Sequence, residues 1–155
     1  MIFDIKTRKD KKIEAIYKKS MKELDDFFEL NWKRNTPNIF IVPNRKTIDE
    51  LKNEKTENWV VGWAIGNTLF ILDKKNFKKE SDYIYSDKEY AMLIRHELAH
   101  LFLSASARCK YMPVWFSEGV AIFLAGQNKT RKKPEILKEF LNYYEANNPT
   151  VYKES

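Results

Sequence analysis

The chain has 155 residues, 43% of them hydrophobic, with four Trp, eight Tyr and ten Phe against only four Gly and five Pro. That is enough apolar material for one core and too little Gly and Pro for long structureless stretches, so a single folded domain over 1–155 is expected. The net charge is +6, with basic residues clustered in Arg8–Lys12, Lys74–Lys79 and Lys129–Lys133, but no nucleic-acid motif accompanies them, and solvated loops and helix ends are the expectation.

No stretch approaches the roughly 20 apolar residues of a membrane helix. The opening MIFDIKTRKDKK lacks the apolar run of a secretory signal, and the lone Cys109 excludes an internal disulfide. A cytoplasmic protein with no membrane and no nucleic-acid partner is expected.

In chain order, Ile13, Ile16, Tyr17, Leu24, Phe27 and Phe28 recur with helical spacing between about Lys9 and Asn31. They predict an amphipathic N-terminal helix within 1–33 that covers the core. Asn38–Val42 is a short β-rich run stopped by Pro43, and Thr47 is a candidate cap for a short helix reaching about Asn53. Trp59–Ile65 and Thr68–Leu72 are two more β-type runs separated only by Gly66-Asn67, a dipeptide suited to a tight hairpin. A small sheet is therefore expected within 37–73.

Beyond a polar stretch, Asp82 to Glu89, a long helix is predicted from about Asp87 to Ala107. Pro113 suits the first residue of another helix ending near Gly126. A last helix over 134–147 follows Pro134, with Ile136, Leu137, Phe140, Leu141 and Tyr144 on one side. The fold class read from this order is α+β, with a small, mostly antiparallel sheet backed by helices.

Residues 96–100 read His-Glu-Leu-Ala-His. Positions four apart on a helix share a face, so His96 and His100 can both reach one metal ion, and Glu97 between them can reach a water on that ion. At about 100° per residue, Ile94, Leu98, Leu101, Phe102 and Ala105 gather on another side to anchor the helix. Both histidines of the chain lie in this motif.

A catalytic zinc site normally takes three protein ligands and keeps one position open. No further His remains, and Cys109 lies close to the helix end. Glu118 stands in a helix that is apolar on nearly every side and is therefore expected to be buried, where an ionised carboxylate needs a partner. A metal held by His96, His100 and Glu118 satisfies it; an ion pair with Arg95 or Arg108 is the alternative. Gly119 is expected to let this helix approach a neighbour closely.

His-Glu-x-x-His followed 18 residues later by Trp115-Phe116-Ser117-Glu118-Gly119-Val120-Ala121 resembles the gluzincin metallopeptidases. It is most similar to their aminopeptidase N-like and peptidase-MA-like branch, with the spacing one residue shorter. The resemblance covers residues 86–126, the zinc-binding helices, and extends more weakly over 59–85. It implies a minimal zincin-like peptidase domain with one Zn2+ per chain, Glu97 as general base, and a peptide or protein substrate. It further implies that the edge strand Gly62, Trp63, Ala64 and Ile65 pairs with an extended substrate. Some minimal gluzincins are kept latent by their own terminal segments, so self-inhibition by one end of the chain is a further expectation. An oxyanion donor is also needed; by position Tyr143, Tyr144 and Tyr152 are the candidates.

The sequence departs from thermolysin-like enzymes at Ile122, where those carry an acid that orients a zinc-bound His. Competing readings are an ImmA/IrrE-like regulatory protease with one protein target, and a catalytically inert zinc-binding module. Structural zinc sites normally have four protein ligands, which disfavours the second.

Overall fold

The structure, a computed structural model, describes residues 7–107 and 112–127. Five helices and three strands follow in the order α1 (Lys11–Phe28), β1 (Asn38–Val42), α2 (Arg45–Lys52), β2 (Gly62–Ile65), β3 (Thr68–Leu72), α3 (Lys74–Glu80), α4 (Asp87–Ser106) and α5 (Val114–Ala125). The α+β class expected from the sequence is observed among these residues. The helix expected over 134–147 lies outside them, as do Cys109, Arg108, Tyr143, Tyr144 and Tyr152.

The sheet departs from expectation. Its strand order is β1-β3-β2; β2 and β3 are antiparallel, whereas β1 and β3 run parallel, Asn38 opposite Thr68 and Val42 opposite Leu72. It is therefore mixed rather than mostly antiparallel. The physical reason is the route of the chain: parallel neighbours need a crossover, and here α2 and β2 intervene between β1 and β3. The hairpin itself is as expected, with Ile65 opposite Thr68 and Gly66 at φ +59°, a left-handed value that glycine adopts without strain.

Local chemistry accounts for the helix starts. Asp10, Asn44, Asp73 and Ser86 each accept a backbone N–H of the first turn that would otherwise be unpaired. Asn44, not Thr47, caps α2; Thr47 donates both its backbone N–H and its hydroxyl to Asn44 Oδ1. α3 was not expected, because its seven residues KKNFKKE carry a single apolar anchor, the buried Phe77.

The caps also explain part of the basic clustering. Arg8 binds Asp73 at 2.7 Å and Asp10 at 3.2 Å, and Lys74 reaches Asp10 at 3.1 Å, so the first two basic clusters meet around two helix caps. Among the described residues no helix is long and apolar enough to cross a membrane.

α4 is the hub. It packs against α1, α5, β2 and β3, and Ile94, Leu98, Ala99 and Phe102 are fully buried on it. Phe28 of α1 stacks on Phe102 at 5.9 Å and Trp32 meets it edge-on at 5.0 Å. Ala105, expected on the anchoring side, is exposed. α1 contributes Ile13 and Leu24 to the core.

Candidate metal centre

His96 and His100 stand one turn apart on the side of α4 that faces α5, because α4 is locked in rotation by its buried stripe. Their side chains are 13% and 21% exposed. Their Nε2 atoms lie 3.1 Å from each other. Glu118 closes the triangle from α5, with Oε2 3.5 Å from His96 Nε2 and Oε1 3.3 Å from His100 Nε2.

Each imidazole is oriented from behind. His96 Nδ1 faces Gln127 Oε1 at 3.0 Å, and His100 Nδ1 faces Ser117 Oγ at 2.9 Å. An Nδ1–H donated to the Gln127 carbonyl oxygen leaves the Nε2 lone pair of His96 directed at its neighbours. Two imidazole nitrogens and a carboxylate then converge on one point, an arrangement that repels unless protons or a cation sit between them.

The donor set fits zinc. Ligand atoms about 2.0–2.1 Å from a tetrahedral ion stand about 3.3 Å from one another; here the two Nε2 atoms are 3.1 Å apart, each meets a different oxygen of Glu118 at 3.5 or 3.3 Å, and one ligand atom from each residue lies within 4.8 Å of the other two. Two nitrogens and one carboxylate oxygen also match the donors of catalytic zinc sites.

The electrostatics follow from the same contacts. Hydrogen bonds with His100 and then His96 hold the Glu118 carboxyl far below the ordinary carboxylate range. Burial alone would push His100 down, but the hydrogen bond and charge of Glu118 outweigh it, and the imidazole is held above its ordinary value. Glu97, 7% exposed, is pushed up by burial, partly offset by the two imidazoles. A buried carboxyl with a raised pKa beside a ligand triad is the usual condition of a general base.

Glu97 is also crowded from the sheet. A Cβ added at Gly62 would lie 3.3 Å from Glu97 Oε1 and 3.2 Å from Leu93 Cδ1. Glycine at this point of β2 therefore lets the strand pass directly over the carboxylate. Among the described residues β2 is the last strand of the sheet, so Gly62, Trp63, Ala64 and Ile65 form a sheet edge beside Glu97. Trp63 is turned away, stacked on Phe70 at 4.8 Å with Lys52 Nζ 5.5 Å from the ring centroid. Its side chain serves the sheet.

Three expectations about α5 need correction. Glu118 is not buried: its side chain is 48% exposed. The apolar sequence of α5 suggested burial on every side, yet only Ala121, Leu124 and Ala125 are buried on it. Among the described residues nothing approaches Gly119, where a Cβ would meet nothing within 4 Å. Arg95, considered as an ion-pair partner for Glu118, instead pairs with Glu23 of α1.

Sequence reasoning missed Gln127 and Ser117. Ser117 precedes Glu118 and had a readable signal, one residue away on the same helix. Gln127 lies nine residues beyond Glu118, past the left-handed Gly126 that ends α5, and no helical periodicity leads to it.

Compared with protein-family models, curated proteins and solved structures, the chain matches none of them.

Proposed function

We propose that the chain is a zinc-dependent peptidase of the gluzincin kind, holding the ion with His96, His100 and Glu118 and using Glu97 as general base. The observation that carries this reading is the convergence of His96, His100 and Glu118, one ligand atom from each lying within 4.8 Å of the others, with a buried, non-ligating glutamate beside them. Glu97 is not needed to hold an ion, so its place there favours catalysis over a purely structural site. Three protein ligands leave one position open, as catalytic sites do.

A zinc ion bound there supplies a Lewis acid and an acidified water. Burial favours the neutral form of Glu97, so the carboxylate takes a proton readily and can hand it to the leaving amine. The β2 edge offers main-chain N–H and C=O groups to an extended peptide, and the missing side chain at Gly62 keeps that edge close to Glu97. The substrate class is accordingly a peptide or an unfolded protein segment. The resemblance of residues 96–100 and 115–121 to the gluzincins supports the same reading.

The test is digestion of an unbiased peptide library. Hydrolysis should stop with a chelator and return with zinc. In Glu97→Gln it should fall by about 10²–10⁴-fold while the zinc content stays unchanged. Wild-type hydrolysis by Glu97→Gln would sink the proposal.

A further inference from the structure

Among the described residues β2 pairs on one side only. The Val61 carbonyl accepts the Leu72 N–H at 2.9 Å, and bonded pairs alternate along an antiparallel ladder. Trp63 and Ile65 therefore turn their main-chain groups to Phe70 and Thr68 of β3, whereas Gly62 and Ala64 turn theirs to the edge. Charge, proline and bulges are the usual devices that blunt an edge. Gly62-Trp63-Ala64-Ile65 has neither charge nor proline, and its pairing with β3 runs without a bulge. Ile65 at its end is 65% exposed. Such an edge is suited to receive another strand.

The two faces of this edge differ. Gly62 passes over Glu97 on the α4 side, and alternation puts Trp63 on the other. There the rings of Phe40, Phe70 and Trp63 form a row across the three strands, 5.4 and 4.8 Å apart. The row ends under an ammonium: Lys52 Nζ, from the last residue of α2, lies over the Trp63 ring. The ring helps to hold that charge in place. Its neighbour Glu54 stands 4.0 Å away and is 63% exposed, a weak hold. The charge of Lys52 also acts on Glu97.

We propose that Lys52 sets substrate specificity, selecting an extended peptide with an acidic side chain at the residue opposite Trp63. The inference rests on the peptidase reading above and adds to it which sequence is taken. A peptide bonded antiparallel to Gly62 and Ala64 carries one residue between its two bonded positions. That residue stands opposite Trp63 in the close pair of the ladder, about 4.5 Å between Cα atoms. Its side chain points to the Trp63 face, away from Glu97. An aromatic side chain there meets a ring already overhung by a cation, whereas a carboxylate there pairs with the cation. The net charge of +6 favours the same kind of peptide. The acid is then the immediate neighbour of the residue opposite Gly62, the one that faces Glu97.

Binding measured without hydrolysis separates this claim from the peptidase reading. The full chain carrying Glu97→Gln, with zinc in the buffer, is titrated with short fluorescent peptides of alternating Thr and Ala whose central residue is Glu, Gln or Lys. The Glu peptide should bind about five-fold more tightly than the Gln peptide, the gain of one partly shielded ion pair, and high salt should shrink the margin. Adding Lys52→Glu should reverse the order in favour of the Lys peptide. If that variant fails to fold, Lys52→Gln should erase the preference. Amide exchange at Gly62 and Ala64 should slow in the complex. No binding, equal binding of the Glu and Gln peptides, a preference that survives the Lys52 substitution, or unslowed exchange at Gly62 and Ala64 would each overturn the assignment. Library hydrolysis by the wild type with no preference for an acid contradicts this inference alone. Glu-selective binding through Lys52 with no hydrolysis supports it and contradicts the peptidase reading instead.

Discussion

α4 and α5 share the candidate metal centre but are held in opposite ways. α4 is gripped by α1, β2, β3 and α5, with Ile94, Leu98 and Phe102 at 0% exposure. α5 rests on Ala121, Leu124 and Ala125, and its glutamate is half exposed. The two imidazoles are thus set by the core, whereas the carboxylate meets them from a helix that, among the described residues, buries only Ala121, Leu124 and Ala125. Separating the anchor from the ligand in this way makes fold stability and metal affinity separately testable.

The largest effect should come from the anchor. Phe102→Ala removes the ring on which Phe28 and Trp32 pack and should cost about 3–5 kcal/mol in urea unfolding. A loss below about 1 kcal/mol would show that α4 is not held as described. Next comes the orientation of the ligands. Gln127→Ala should weaken zinc binding by about 10–100-fold in chelator competition, with the unfolding midpoint of the zinc-free protein unchanged, and Gln127→Glu should restore it. Equal affinity in Gln127→Ala would mean that His96 is positioned by the core alone.

A smaller effect is expected where the sheet meets the base. In Gly62→Ala the new methyl must displace Leu93 or Glu97, since Oε1 stands only 3.3 Å from it. Turnover should fall by about ten-fold, the order of one hydrogen bond misplaced, at unchanged zinc content. An unaffected rate would show that Glu97 has room to move.

The smallest effect concerns the zinc-free chain. His100 is held above its ordinary value, chiefly by Glu118 acting against burial, so its contribution to stability is fully present below about pH 6.5. It is lost as pH rises through the higher folded value. With chelator present, the melting midpoint should drop by a few degrees between pH 6 and pH 8.5, the half-exposed Glu118 limiting the size. In His100→Asn that drop should vanish; a drop of equal size there would assign it elsewhere.

Much of the site was legible because its chemistry is local. His96, Glu97 and His100 lie within one helical turn and a fraction, and Glu118 was the downstream acid in the least polar surroundings. The reason given for Glu118 was nevertheless mistaken. Composition shows that α5 is apolar but not which sides meet the core, so an outward-facing Trp115 or Phe123 reads like a buried one. The β2–β3 hairpin announced itself through Gly66-Asn67, whereas the parallel pairing of β1 with β3 joins residues about 30 positions apart and leaves no local mark. α3 escaped because Phe77 is its only apolar anchor, although Asp73 stood at its start as a cap. Gln127 is reached through a turn, and only folding brings it to His96.

In the proposed function two core-set imidazoles and one carboxylate from the next helix grip a single zinc ion. Elemental analysis of the full chain after equilibration with excess zinc and dialysis tests it most directly. One zinc per chain is expected, lost in both His96→Ala and Glu118→Ala. A zinc-free wild type, or full occupancy in Glu118→Ala, would contradict it.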